Sequence, residues 1–195
     1  MSRDQKRDRR RQGRQPRKAT PDYLRNSALH YLERYATSSA HLRRLLLVKV
    51  ARSAAAHGTD AEAGAAAVET LIGRLIAQGL LDDAAFARTK ARSLHRRGGS
   101  ARAIRGRLTQ MGLGPDLIEA AFAALAEDVG DTEFAAAVGY ARRRRLGPYR
   151  SDPADREERR ERDLAALGRR GFSYELARRI VEAESPEALD DDSEP

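Results

Sequence analysis

The feature that most limits what this chain can fold into is the spacing of its apolar residues. From about residue 20 to residue 183 they recur at helical intervals, and no segment shows strand alternation with β-branched enrichment. The clearest stripe is Val68, Leu71, Ile72, Leu75 and Ile76, an i, i+3, i+4, i+7, i+8 series. It follows "TDAE" at 59–62, a capping box, and ends at Gly79. Most other stripes are thinner. In "RRGGSARAIRGRLTQMG" (96–112) only Ile104, Leu108 and Met111 form the apolar face, and so short a helix is marginal without neighbours to bury it. The expected fold class is therefore all-α, with helices packing in small groups. Aromatic residues make up only 5%, which suits several small Ala/Leu/Ile cores better than one large one.

Caps and stripes delimit nine helical segments. Thr20–Pro21 opens the first, with Leu24, Ala28, Leu32 and Tyr35 inward. The second starts near Ser39 with Leu42, Leu46 and Val50, and the third is the stripe after "TDAE". The fourth starts at Asp82–Asp83 and turns Phe86, Ala87, Ala91 and Leu94 inward; the fifth carries Ile104 and Leu108. Gly114–Pro115 precedes a sixth with Ile118, Ala121, Phe122 and Leu125, and Asp131 a seventh with Phe134, Val138 and Ala141. Asp152–Pro153 opens an eighth with Leu164 and Leu167, and Ser173 caps a ninth with Leu176, Ile180 and Val181.

The nine fall into three sets of three. Ser100-x₃-Ile104-x₃-Leu108-x₃-Gly112 has a counterpart in Ser38-x₃-Leu42-x₃-Leu46 and another in Leu167-x₃-Gly171-Phe172-Ser173. A repeat at this spacing, with variable loops, indicates tandem three-helix modules. The expected organisation is a disordered basic arm over 1–20, modules over 21–81, 82–130 and 131–184, and a disordered acidic tail over 185–195.

The net charge of +8 is unevenly spread. Residues 1–20 hold nine Lys/Arg against Asp4 and Asp8, a net +7; residues 182–195 hold seven carboxylates and no base. Residues 84–115 carry Arg88, Lys90, Arg92, Arg96, Arg97, Arg102, Arg105 and Arg107 without one carboxylate. Arg88, Arg92 and Arg96 stand at i, i+4, i+8, opposite the Phe86/Leu94 face. The "GGS" turn at 98–100 leaves backbone amides near a helix N-terminus, a favourable place for an anion. Such a surface suits phosphates or an acidic protein groove; a merely solvated arginine face is the plainer alternative. Arg142, Arg143, Arg144 and Arg145 span most of a helical turn, so that helix end projects beyond its module or one side chain snorkels. Arg169 and Arg170, with Arg178 and Arg179, bracket "GFS" and could join them on one face, where Phe172 reads as a core plug. "DREERRERD" (155–163) alternates sign, with Asp155–Arg159 and Glu158–Arg162 at i, i+4, and reads as a self-neutralised solvated helix.

With these segments in order, the sequence resembles the RecX family, bacterial regulators of the RecA recombinase. The resemblance covers residues 23–184 and is carried by "SSAHLRRLL" (38–46), "GLLDDAAFA" (79–87), "SARAIRGRLTQMG" (100–112) and "LGRRGFSYELARRI" (167–180). It implies a bent, elongated molecule of three tandem three-helix units. It also implies binding to RecA and its filament on single-stranded DNA, suppression of ATP hydrolysis and strand exchange, and some direct DNA binding. The chain departs from the pattern in its long basic arm, an Ala-rich insertion at 53–67, and Val50 where the later modules have Gly112 and Gly171.

Other classes fare less well. There is no cysteine, and His30, His41, His57 and His95 are scattered, with no metal-ligand spacing and no phosphate-loop signature. The expectation is a non-enzyme without cofactor or metal, monomeric and cytoplasmic, since no apolar run approaches a membrane span. The arm reads as a non-specific polyanion tether and the tail as a solubilising end. The rival is a helix-turn-helix transcriptional regulator reading DNA through residues 86–111. Adenine readers favour Asn or Gln, and only Asn26, Gln78 and Gln110 lie outside the arm. A helical-repeat adaptor for protein alone is a third option.

Overall fold

The computed structural model describes residues 15–191. Residues 1–14 of the expected basic arm, and the last four residues of the acidic tail, lie outside the described residues. The end of the arm, expected to be disordered to residue 20, is instead held to the first module: the Ala19 amide donates to Ser53 Oγ at 2.9 Å and His57 Nε2 donates to the Pro16 carbonyl at 2.6 Å. Among those described there are eleven α-helices, one 3-10 turn and no strand. They are α1 Pro21–Leu32, α2 Ser39–His57, α3 Ala61–Ala77, α4 Asp83–Arg96, α5 Ala101–Gln110, α6 Pro115–Val129, α7 Thr132–Arg144, the 3-10 turn Gly147–Tyr149, α8 Pro153–Glu158, α9 Arg160–Arg169, α10 Tyr174–Val181 and α11 Pro186–Asp191. The chain divides into two compact units, Met1–Asp82 and Asp83–Pro195.

The first unit is one three-helix module. Its core is Leu24, Ala28, Leu42, Leu46, Val50, Val68, Ile72, Leu75 and Leu81. Thr20 caps α1 by accepting from the Tyr23 amide at 3.2 Å, and Asp60 caps α3 by accepting from Glu62 and Ala63 at 2.8 and 3.1 Å. The Ala-rich insertion is helical: it extends α2 to Gly58, whose φ of +62° supplies the left-handed cap, and it starts α3. That explains Val50. It sits inside a lengthened helix rather than at its end, and Gly64 of α3 makes room, because a Cβ there would lie 2.6 Å from Val50 Cγ1. Two expected core positions face outward instead. Tyr35 lies beyond α1, 56% exposed and with its ring tilted against that of Tyr31 at 5.1 Å, and Ile76 is 50% exposed.

The second unit holds two modules with separate cores. The first core is Ala87, Ala91, Ile104, Leu108, Leu113, Ile118, Ala121, Phe122 and Leu125 from α4–α6. The second includes Phe134, Val138, Ala141, Leu146, Leu164, Leu167, Phe172, Ile180 and Val181, and Leu189 of α11 closes it. The sequence repeat reappears as repeated hydrogen bonds. Gly112 and Gly171, at φ +83° and +95°, each end a second helix, and the next amides, Leu113 and Phe172, return to the carbonyls of Leu108 and Leu167 at 3.3 Å. Leu113 and Phe172 then plug the cores.

Three expectations for this unit need correction. The segment 153–169 is two helices, not one. Residues 155–163 carry no apolar stripe, so nothing holds that stretch in line with α9, and the chain breaks at Arg159. Nor is that stretch uniformly solvated: Asp163 is 1% exposed. It accepts from Arg150 Nε and Nη2 at 2.9 and 2.6 Å and from the Gly147 amide at 2.9 Å. Arg160 pairs with Glu182 rather than within its own helix alone. The tail, expected to be disordered from 185, instead forms α11. Ser185 accepts from the Ala188 amide at 3.4 Å, Leu189 is buried, and Arg156 donates to the carbonyls of Ala183 and Glu184.

Candidate functional site

Four of the arginines singled out by charge come together on the second unit. Arg102 and Arg107 of α5 face Arg169 and Arg170 at the end of α9 across a groove of about 310 Å³. The rest of its lining is Ala103, Gly106, Gln110, Gly168 and Gly171, so no carboxylate and no large apolar side chain enters it. Local sequence explains the arrangement. Ile104 and Leu108 bury the opposite face of α5, which leaves the Arg102, Ala103, Gly106, Arg107 and Gln110 positions outward. Leu164 and Leu167 do the same for α9, leaving Gly168 and Arg169 exposed.

The two walls belong to different modules, and a polar seam fixes their spacing. Ser100 Oγ accepts from the Ala103 amide at 3.2 Å and donates to the Arg170 carbonyl at 2.7 Å. Glu133 Oε2 accepts from the Ala101 amide at 2.7 Å. The buried His95 donates through Nε2 to the Thr132 carbonyl at 2.6 Å, and Arg143 Nη1 donates to the Arg96 carbonyl at 3.0 Å. Gly98 and Gly171 admit this approach: a Cβ at Gly98 would lie 2.7 Å from Tyr140 Cβ, and one at Gly171 2.7 Å from Ser100 Oγ. Arg170 lies over the Tyr140 ring at 4.8 Å, which presets its guanidinium.

The expected anion site at the "GGS" turn is therefore already filled. At the α5 N-terminus the Ala101 amide is taken by Glu133 and the Ala103 amide by Ser100, which puts an internal carboxylate in the place where a ligand anion would sit. The arginine run of 84–115 is not uncompensated either, because α6 folds back onto it. Arg92 pairs with Asp128. Arg105 pairs with Glu119 through Nε–Oε1 at 2.8 Å and Nη2–Oε2 at 2.9 Å, and lies 4.2 Å from the Phe122 ring centroid. The hydrogen bond with Glu119 raises the Arg105 pKa and lowers that of Glu119. Helix packing supplies what the local run lacks.

The remaining arginines are distributed differently. Arg88 and Arg97 are exposed on α4 and just beyond it, outside the α5–α9 groove. Arg96 joins Arg92, His95 and Asp128 around a second hollow of about 410 Å³, where Asp128 offsets the charge. Arg142, Arg143, Arg144 and Arg145 are all exposed, as a projecting helix end requires. Arg142 lies over Tyr149, Arg143 caps α4, and Arg145 takes the left-handed cap position at φ +52°. Sequence reasoning missed Glu133, Gly106 and Gly168. Two glycines inside helical patterns were the available signal.

Among the described residues no helix is long and apolar enough to cross a membrane, and no three His, Asp or Glu residues are placed to hold a metal ion. Tandem three-helix modules, one pair of which frames an arginine-lined groove, define an all-α helical-repeat protein. Residues 82–121 match the family model described as RecX, second three-helix domain. The chain is 43% identical over 168 residues to "Regulatory protein RecX" of Myxococcus xanthus, covering 86% of this chain and 89% of that protein. It is 33% identical over 172 residues to "Regulatory protein RecX" of Agrobacterium fabrum, covering 86% of each. The chain belongs to the RecX family of regulatory proteins.

Proposed function

We propose that this chain is a regulator, mainly an inhibitor, of the RecA recombinase. In this reading it binds RecA and its filament on single-stranded DNA and suppresses ATP hydrolysis and strand exchange. It works as a cytoplasmic monomer without cofactor, and its modules are bounded at 21–81, 82–130 and 131–184. The observation that carries the reading is the 43% identity across 86% of the chain to a RecX regulatory protein. The groove supports it, since four arginines without a lining carboxylate suit a polyanionic assembly. The contact surface proposed is the groove with the exposed Arg88, Arg96, Arg97, Arg144 and Arg145; Arg92 and Arg105 are committed to Asp128 and Glu119.

The helix-turn-helix reading loses support at α5. A recognition helix reads bases with its N-terminal residues, whereas here Ser100 is buried and the Ala101 amide is held by Glu133. The deciding experiment is DNA-dependent ATP hydrolysis by RecA, titrated with this protein below the concentration that coats the DNA. Inhibition is expected, and an unchanged rate would remove the proposal.

A further inference from the structure

The floor of the α5–α9 groove is bare backbone. Gly106 sits in the middle of α5 and Gly168 in the last turn of α9, and a Cβ at either would meet nothing within 4 Å. Neither glycine is required by the packing of this chain, and glycine inside a helix weakens it relative to alanine. Both nevertheless open into one groove, between Arg102 and Arg107 on one side and Arg169 and Arg170 on the other. Ala103 and Gly171 complete a floor without bulk.

We propose that this groove takes a phosphodiester backbone, which lies directly on Gly106 and Gly168 while the four guanidiniums grip its phosphates from both walls. The lining favours that occupant over a protein segment. A protein interface needs an apolar or aromatic centre to exclude water, and this groove offers only Arg, Gln, Ala and Gly. It also contains no aromatic platform for stacking bases, so the grip falls on phosphates and is independent of sequence. Guanidiniums match phosphate oxygens in pairs, and a floor without Cβ atoms lets the strand sink between them. Arg170 is held by Tyr140 and Arg107 by Gln110, which presets two of the four. The inference deepens the function proposed above and rests on it for the assembly that presents the strand. Its test needs no RecA, so the two readings can fail separately.

The test measures fluorescence anisotropy of the full chain with a labelled oligothymidylate of about twenty nucleotides, an abasic strand of the same length and a poly-glutamate peptide of equal charge. Gly106→Ala/Gly168→Ala is expected to fold at least as well as the parent by circular dichroism and to bind the oligothymidylate about tenfold more weakly, the equivalent of one charge-assisted hydrogen bond. Arg102→Gln/Arg169→Gln is expected to weaken binding and to flatten its salt dependence by about 0.7 for each phosphate no longer neutralised. The abasic strand should bind as well as the oligothymidylate, and poly-glutamate far more weakly. Unchanged affinity in the glycine variant overturns the proposal. So does poly-glutamate binding as tightly as the strand, which would assign the groove to an acidic protein segment, and so does failure to bind the abasic strand, which would make the bases the ligand.

Discussion

Asp163 offers the sharpest quantitative test of the fold. Its carboxylate is 1% exposed and accepts three hydrogen bonds, two from Arg150 and one from the Gly147 amide. Asp163→Ala would strand a guanidinium whose side chain is only 15% exposed and leave a buried amide unpaired. The turn cannot relax to reach another acceptor. Gly147 stands at φ +54°, and a Cβ there would lie 2.8 Å from Val181 Cα, so the chain is already pressed against α10. Removing one partner of a buried pair costs about 3–5 kcal/mol. A domain has roughly 5–15 kcal/mol of stability, so residues 131–184 should approach local unfolding. Hydrogen exchange read by mass spectrometry suits the question, because peptides from 21–81 report an independent core as an internal control. Protection should collapse over 131–184 and stay unchanged over 21–81. Replacing both partners, Arg150→Met with Asp163→Leu, should recover the part of the loss that comes from the stranded guanidinium, since an apolar pair of similar volume is often neutral, while the Gly147 amide stays unpaired. A loss below about 1 kcal/mol for Asp163→Ala, the value of an exposed pair, would refute the reasoning.

Other outcomes follow from single contacts. Gly64→Ala should cost about 1–3 kcal/mol by overpacking Val50, and Val50→Ala in the same chain should relieve it; urea denaturation of both variants checks this. Ser100→Ala should cost about 1–2 kcal/mol, because it removes an N-cap and leaves the Arg170 carbonyl unpaired, again measured in urea. Gly106→Ala should raise stability by about 0.5–1 kcal/mol, visible as a higher melting temperature. The pairing of Glu119 with Arg105 is a pH-dependent contribution. Since the folded carboxyl is held below its usual value, the contribution is present above the unfolded carboxylate range, about pH 4.3, and is lost as pH falls through the folded value. Glu119→Gln should therefore be less stable than the parent at neutral pH and converge with it in acid. An equal difference at both ends would contradict the pairing.

The fold was largely legible in the sequence because helical period and caps are local signals. Ser38, Ser100 and Ser173 each accept from the amide three residues on, at 3.2 Å, as their positions ahead of apolar stripes imply. The failures had two sources. One was the absence of a signal: with no apolar residue between Asp155 and Asp163, nothing marked the break at Arg159 or showed that Asp163 turns inward. The other was partners distant in sequence. Asp128, Glu119 and Glu133 are invisible from within the 84–115 window, yet they neutralise two of its arginines and fill its helix N-terminus. The tail was misread for a smaller reason, since Ser185–Pro186 is an ordinary cap-and-proline start and Leu189 one anchor. The groove itself needed the return of α9 beside α5, a tertiary fact that no periodicity encodes.

The seam through Ser100, Glu133, His95 and Arg143 has a bearing on genetics. Because α5 and α9 are held in register by those residues and not by one another's arginines, the width of the gap between them is set at a distance. A random screen for chains that no longer function should return hits at Ser100, Glu133, Gly98 and Gly171 as readily as at the arginines. Those hits would fall on the joint as often as on the groove's own arginines, so a map of inactivating changes would outline the mounting of the two walls along with the walls themselves.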